Sequence, residues 1–127
     1  MKKGGFGGRR VLAAEDHFLL ADNLARKLQQ IGLVVVGPAA SVAQAMALIE
    51  SEAPIDGAIL DITLGREPAF PIVDELRARG VPTVFLTGLS NELTPQAYRD
   101  VPCFRKPVNV TEVARSLFPQ APGADSA

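Results

Sequence analysis

The stretch Ala58-Ile59-Leu60-Asp61 places three apolar residues directly before an acidic one. A short apolar run of this kind is typical of a strand that helices cover on both faces, as in a parallel sheet. Further short apolar runs alternate with helical patterns along the chain, which predicts repeated βα units and an α/β fold. These runs are Val11-Leu12-Ala13-Ala14, Leu33-Val34-Val35-Val36, Thr83-Val84-Phe85-Leu86 and, more weakly, Val101-Pro102-Cys103-Phe104.

Helical periodicity is clearest between the first two runs. Leu20, Leu24, Leu28 and Ile31 recur at helical spacing, and Gly32 is suited to the position just past a helix end. Capping and helix-breaking residues predict three other helices. Their markers are the pair Ser41 and Gln44, Pro68 together with Gly80, and the pair Asn109 and Glu112.

The fourth helix is the doubtful one. Residues 91–100 contain Pro95, and only Leu93, Ala97 and Tyr98 are suited to face the core. We therefore expect a helix that is short or mobile.

The chain reads as one domain, because 127 residues can enclose a single hydrophobic core. Residues 1–8 are rich in glycine and predict a flexible tail. Residues 119–127 are small and polar, with too little apolar surface to offset the entropy of ordering, and predict a disordered tail. The expected domain covers residues 9–118.

Composition argues against several classes of protein. The formal net charge is −1 with both signs mixed along the chain, so no field favours nucleic acid or an anionic membrane. A single cysteine, Cys103, rules out an intramolecular disulfide and favours a reducing compartment such as the cytoplasm. No apolar stretch resembles a signal peptide or a membrane span.

Charged and polar residues stand where the predicted strands end. Glu15 and Asp16 follow the first strand, Asp61 the third, Thr87 closes the fourth and Lys106 follows the fifth. In an open α/β sheet these ends share one edge, where ligands bind. Three carboxylates brought together repel one another unless a cation shares them, and a hard divalent ion such as Mg²⁺ suits oxygen ligands. We expect Mg²⁺, or Mn²⁺ in its place.

A carboxylate in this setting can attack phosphorus and form an aspartyl phosphate, provided that positive charge offsets the phosphoryl oxygens. Lys106 and the cation would supply that charge. The Thr87 hydroxyl could donate a hydrogen bond to a phosphoryl oxygen and so link the modification to its loop.

These strand ends resemble those of response-regulator receiver domains of two-component systems over residues 9–118. The resemblance rests on Val11-Leu12-Ala13-Ala14-Glu15-Asp16, Ile59-Leu60-Asp61, Val84-Phe85-Leu86-Thr87-Gly88 and Lys106-Pro107. It implies the doubly wound, flavodoxin-like (βα)5 fold with parallel strand order 2-1-3-4-5, an order for which the chemotaxis member of that family is a standard illustration.

The same resemblance implies the role of each site residue. Asp61 is the expected phosphoacceptor, Glu15 and Asp16 help to bind the metal, and the main-chain carbonyl of Thr63 is a further metal ligand. Lys106 is expected to contact the phosphate, and its bond to the following proline is commonly cis in the family.

The chain departs from the usual receiver pattern at Cys103, where receivers carry a tyrosine or phenylalanine that turns inward on activation. Phe104 lies one residue later and should face the opposite side of the sheet. Phe85-Leu86-Thr87-Gly88 instead resembles a single-domain subgroup marked by Phe-Ala-Thr-Gly, which tends to pair with HWE-type histidine kinases. We therefore expect phosphorylation to act by ordering residues 88–100.

Other functions remain as alternatives. A haloacid-dehalogenase phosphatase needs a second acid where this chain has Thr63, and a flavin carrier needs a phosphate loop where it has Glu15-Asp16-His17. The serious alternative is a pseudo-receiver that binds proteins independently of phosphorylation.

Expected partners are a sensor histidine kinase or a histidine phosphotransfer protein, together with an unidentified downstream protein. We expect a signalling protein rather than an enzyme, a monomer that could dimerise on phosphorylation, and no binding to nucleic acid or membrane.

Overall fold

A computed structural model describes residues 6–51, 54–88 and 94–121. In chain order, its strands and α-helices are β1 (Arg10–Ala14), α1 (Phe18–Gln30), β2 (Val34–Ala39), α2 (Val42–Ser51), β3 (Gly57–Asp61), β4 (Thr63–Leu64), β5 (Glu67–Pro68), α3 (Phe70–Ala78), β6 (Thr83–Thr87), β7 (Cys103–Arg105) and α4 (Val110–Leu117).

Five of the strands form one sheet in the order β2-β1-β3-β6-β7, and every pairing within it is parallel. Because β4 and β5 form a separate antiparallel pair, this order is the expected 2-1-3-4-5 arrangement. The predicted doubly wound α/β fold is confirmed.

Helices cover both faces of the sheet, and alternate residues of each strand feed two cores. On β3, Ala58 and Leu60 pack with α2 and α3, whereas Ile59 packs with α1 and α4. Burial on both faces explains why the strands read as continuous apolar runs. Val73 and Leu76 of α3 are buried as predicted.

The predicted helix boundaries hold at α1, α2 and α4. Gly32 follows α1 with a φ of +94°, and Gln44 N–H donates to the Ser41 hydroxyl at the start of α2. Asn109 caps α4 by accepting hydrogen bonds from the N–H groups of Thr111 and Glu112. These contacts satisfy main-chain groups that helix ends otherwise leave unpaired.

The start of α3 lies close to Pro68, as predicted. That residue belongs to β5, and the helix begins at Phe70 with Pro71 in its first turn. Pro71 fits there because the first turn needs no N–H donor for an intrahelical bond. Gly80 follows the helix with a φ of +72°, as predicted.

The fourth helix is reduced to one turn of 3-10 helix, Gln96–Tyr98, among the described residues of its predicted span. Residues 91–93 of that span lie outside the described residues. A short element here agrees with the prediction.

Each predicted tail contains a described residue that is buried in the core, which the prediction of flexible and disordered tails did not include. Phe6 is only 2% exposed and Ala121 is fully buried, and both pack into the core beside α1 and α4, together with Phe118. Main-chain contacts fix the first segment, since Gly8 N–H donates to the carbonyl of Gly32. Residues 1–5 and 122–127 lie outside the described ranges.

None of the helices in the described part of the chain is long and apolar enough to cross a membrane.

Candidate functional site

The carboxyl ends of four parallel strands bring the predicted site residues to one edge of the sheet. Glu15 follows β1, Asp61 ends β3, Thr87 ends β6 and Lys106 follows β7. The β6–β7 pairing continues past the strand, because Lys106 N–H donates to the Thr87 carbonyl over 2.8 Å. This register holds the lysine at the same edge as the acids.

Lys106 is the cation at the centre of this edge. Its Nζ donates to Glu15 Oε1 over 2.7 Å and to Asp61 Oδ2 over 3.0 Å. The Glu15 and Asp61 side chains are only 3% and 9% exposed, so water screens these ion pairs weakly. The bond between Lys106 and Pro107 is cis, as the resemblance implies.

The second oxygen of Asp61 has a different environment. Oδ1 also lies 3.0 Å from Lys106 Nζ, yet it is buried and accepts no hydrogen bond from the described residues. Burial raises the pKa of Asp61 from its ordinary 3.8 to about 7, because Lys106 only partly offsets the loss of hydration and Glu15 adds to the rise. Asp61 Oδ1 can therefore act as a ligand to a cation.

Lys106 stays protonated in this environment. Burial alone would lower the pKa of its ammonium group, but the hydrogen bonds to Glu15 and Asp61 outweigh burial and raise that pKa overall. A permanent positive charge thus lies beside Asp61.

Three acidic side chains meet as predicted. One carboxylate oxygen from each of Glu15, Asp16 and Asp61 lies within 4.8 Å of the others, with Asp16 exposed and the other two buried. An all-oxygen set, with one buried oxygen that accepts no hydrogen bond from the described residues, fits a hard divalent cation such as Mg²⁺. We call these three residues the acidic triad.

Thr63 and Thr87 line a cavity of about 360 Å³ together with Asp61 and Lys106. Both threonines therefore lie at the site where the sequence predicts them. The metal-binding role of the Thr63 carbonyl and the phosphate contact of the Thr87 hydroxyl stay predictions.

A β-hairpin that the sequence analysis missed adjoins the triad. β4 and β5 pair immediately after Asp61, and Gly65 in their two-residue connection donates its N–H to Asp16 Oδ2 over 2.9 Å. The available signal was Leu64-Gly65-Arg66-Glu67, in which glycine suits a tight turn. Strands of two residues are too short to show a periodic pattern.

The switch position differs from that of usual receivers, as predicted. Cys103 packs at the margin of the core beside α2 and α3, whereas Phe104 packs at the margin of the opposite core. Burial raises the pKa of the Cys103 thiol, which favours its protonated form.

An aromatic pair adjoins the cavity, which Phe70 helps to line. The Tyr98 ring stacks on Phe70 with centroids 4.4 Å apart, and Phe70 meets Phe85 edge to face. The Tyr98 hydroxyl donates to Asp74 over 2.9 Å, and the Arg77 guanidinium lies 5.4 Å from the Tyr98 ring centroid. These contacts attach the 3-10 turn to α3.

His17 has a structural role. Its main-chain N–H donates to Glu15 Oε2 over 3.0 Å, and its ring Nδ1 accepts from Leu20 N–H at the start of α1. The residue therefore caps the helix and orients a triad carboxylate.

Comparisons with known proteins agree with this fold. No protein-family model matches the sequence. The solution structure of SdrG from Sphingomonas melonis is 37% identical with a TM-score of 0.74, covering 86% of this chain and 92% of SdrG. The receiver domain of the Erythrobacter litoralis response regulator PhyR is 25% identical with a TM-score of 0.74, covering 89% of each chain.

Among curated sequences, the transcriptional regulatory protein PdtaR of Mycobacterium tuberculosis is 30% identical over 113 residues. The match covers 86% of this chain and 55% of PdtaR, so the chain spans about half the length of that relative. With the fold, the strand-end residues and the similarity to SdrG and PhyR in agreement, the chain belongs to the response-regulator receiver domains of two-component systems.

Proposed function

We propose that Asp61 accepts a phosphoryl group from a histidine kinase or a histidine phosphotransfer protein in a Mg²⁺-dependent reaction. The observation that carries the proposal is the pair of contacts from Lys106 Nζ to Glu15 and Asp61, beside a buried Asp61 oxygen that accepts no hydrogen bond from the described residues. These contacts support the proposal, because a carboxylate that attacks phosphorus needs positive charge beside it.

In the proposed step, a carboxylate oxygen of Asp61 forms a bond to phosphorus while the bond between phosphorus and the donor's imidazole nitrogen breaks. The bonding electron pair stays with that nitrogen. Mg²⁺, when bound, supplies positive charge to the phosphoryl oxygens. Lys106 adds a second positive charge, and the Thr87 hydroxyl donates to a phosphoryl oxygen of the product.

Glu15 and Asp16 would bind the cation with Asp61, and the Thr63 carbonyl would add a ligand. Asp61 attacks as its carboxylate. A neighbouring cation lowers the pKa of Asp61, which favours the carboxylate and therefore favours phosphoryl transfer.

We propose that the protein passes its signal to a partner through protein contacts that depend on residues 88–100. Residues 89–93 lie outside the described ranges, and residues 94–100 include the turn that Tyr98 attaches to α3. With Cys103 at the usual aromatic position, we propose that phosphorylation changes the order of this segment. Equal amide-exchange protection of residues 88–100 with and without a phosphoryl mimic would contradict it.

We further propose that the protein acts in the cytoplasm, with an HWE-type kinase as one class of phosphodonor. It would act as a monomer that can dimerise on phosphorylation.

The deciding experiment is incubation with acetyl phosphate, with and without Mg²⁺, followed by intact mass spectrometry. Wild type should gain one phosphoryl group only with the metal, and Asp61→Asn should gain none. Asp22→Asn is a matched control, because Asp22 is an exposed acid paired with Arg26 outside the triad.

A pseudo-receiver is the second candidate, favoured by Cys103 at the switch position. No metal-dependent adduct on wild type, or an adduct that survives Asp61→Asn, would refute Asp61 as the phosphoacceptor and would favour this alternative.

A further inference from the structure

Asp16 differs from the other two members of the acidic triad in its exposure. Glu15 and Asp61 are buried and paired with Lys106, whereas Asp16 is exposed. Repulsion from two nearby carboxylates favours rotation of an exposed third one towards water. A specific contact is therefore needed to hold Asp16 within 4.8 Å of its neighbours.

The β4–β5 hairpin supplies that contact. The Gly65 N–H donates to Asp16 Oδ2 over 2.9 Å, which uses one carboxylate oxygen and leaves the other for a cation. A hydrogen bond to a carboxylate is stronger than one between neutral groups.

The hairpin is well placed to act as a fixed support. The Leu64 side chain is buried in the core beside α2 and α3, and Ala69 N–H donates to the Ile62 carbonyl over 2.7 Å at the base of the hairpin. Gly65 opens the two-residue connection with a φ of +64°, a backbone conformation that glycine adopts readily. The Gly65 N–H is therefore held in place by the buried Leu64 side chain and by the hydrogen bond at the base of the hairpin.

We propose that the β4–β5 hairpin positions Asp16 for the divalent cation through the main-chain N–H of Gly65. Binding of the metal and order of the hairpin are then linked, because each stabilises the same Asp16 conformation. This inference rests on the proposed function only in that the acidic triad binds a divalent cation.

The first test follows the ¹⁵N-labelled wild-type protein during a MgCl₂ titration by NMR. The Gly65 amide should shift along the same binding curve as the amides of Glu15 and Asp61. Gly80 is a matched internal control, because it also has a positive φ but lies at the opposite edge of the sheet, between α3 and β6. An unchanged chemical shift of the Gly65 amide, while the amides of the triad shift, would overturn the inference.

The second test compares Mg²⁺ dissociation constants of wild type, Gly65→Pro and Gly65→Asn from the same titration. Proline removes the N–H and cannot adopt the required φ, whereas asparagine keeps the N–H and tolerates a positive φ. Loss of a hydrogen bond to a metal ligand typically weakens binding about tenfold or more, which we expect for Gly65→Pro. Gly65→Asn should bind close to wild type.

The outcomes separate the two proposals. No Mg²⁺ binding by wild type would refute the proposed function, whereas equal dissociation constants in all three proteins would refute only the positioning role of Gly65. If Gly65→Pro gives an unfolded spectrum, the wild-type titration decides.

Discussion

Substitution of Asp61 by asparagine should stabilise the metal-free protein at neutral and alkaline pH. The site places the Asp61 carboxylate beside that of Glu15 in a buried position, with Lys106 as their shared cation. Asparagine has nearly the same shape and keeps an oxygen that can accept from Lys106, but it removes one negative charge.

The size of the effect follows from the raised pKa of Asp61. Below its ordinary value of 3.8, the carboxyl is protonated in both the folded and the unfolded chain, and it does not affect stability. As pH rises from 3.8 to about 7, the unfolded chain ionises first and the folded protein loses stability. A pKa difference of this size corresponds to about 4 kcal/mol as an upper limit.

Asparagine recovers only part of that free energy, because the ion pair with Lys106 is lost as well. We expect Asp61→Asn to raise the free energy of unfolding by roughly 2 kcal/mol at pH 8. Urea unfolding followed by far-ultraviolet circular dichroism in EDTA measures the change. The stabilisation should shrink towards pH 4, and MgCl₂ should stabilise wild type more than the variant.

Asp22→Asn provides the control, since this exposed acid should change stability by about 0.5 kcal/mol or less. An Asp61→Asn protein no more stable than wild type at pH 8 in EDTA would refute the account of crowded, poorly hydrated carboxylates.

Three other predictions follow from described contacts. Lys106→Met should lower the free energy of unfolding in EDTA by roughly 2 kcal/mol, because two buried carboxylates lose their cation. Urea unfolding measures this loss, and added MgCl₂ should reverse part of it. The pKa of Tyr98, the only tyrosine, should lie above 10.0 because its hydroxyl donates to Asp74, and ultraviolet titration should show a lower midpoint in Asp74→Asn. Gly37→Ala should destabilise by roughly 3 kcal/mol, since its Cβ would meet a main-chain nitrogen at 2.8 Å at a φ of +103°. Gly80→Ala, with open space around its Cβ, should cost only about 1 kcal/mol in the same unfolding assay.

The sequence was sufficient to predict the sheet and to predict which charged residues meet at its carboxyl edge. Buried parallel strands must be apolar on both faces, so runs such as Ala58-Ile59-Leu60 identify them without any alternation. Parallel strands also direct their carboxyl ends to one edge, which makes Glu15 and Lys106 neighbours despite a separation of 91 positions. The parallel topology therefore brings together residues that are far apart in the sequence.

Contacts made by isolated residues could not be predicted in the same way. Phe6 stands among glycines with no periodic partners, yet burial of one aromatic ring outweighs the entropy of fixing its short segment. Ala121 is buried for a similar local reason, since its N–H donates to the Phe118 carbonyl. The hairpin after Asp61 was missed because its strands have two residues each.

The separation of the site residues along the chain has a consequence during synthesis. Glu15 follows β1, Asp61 ends β3 and Lys106 follows β7, so a chain still growing on the ribosome lacks the lysine until β7 has been made. Before that moment Asp61 has no fixed cation and no β7 edge beside β6. On the proposed function, translation would make the domain competent for phosphorylation in one late step, and products truncated before Lys106 should not accept a phosphoryl group.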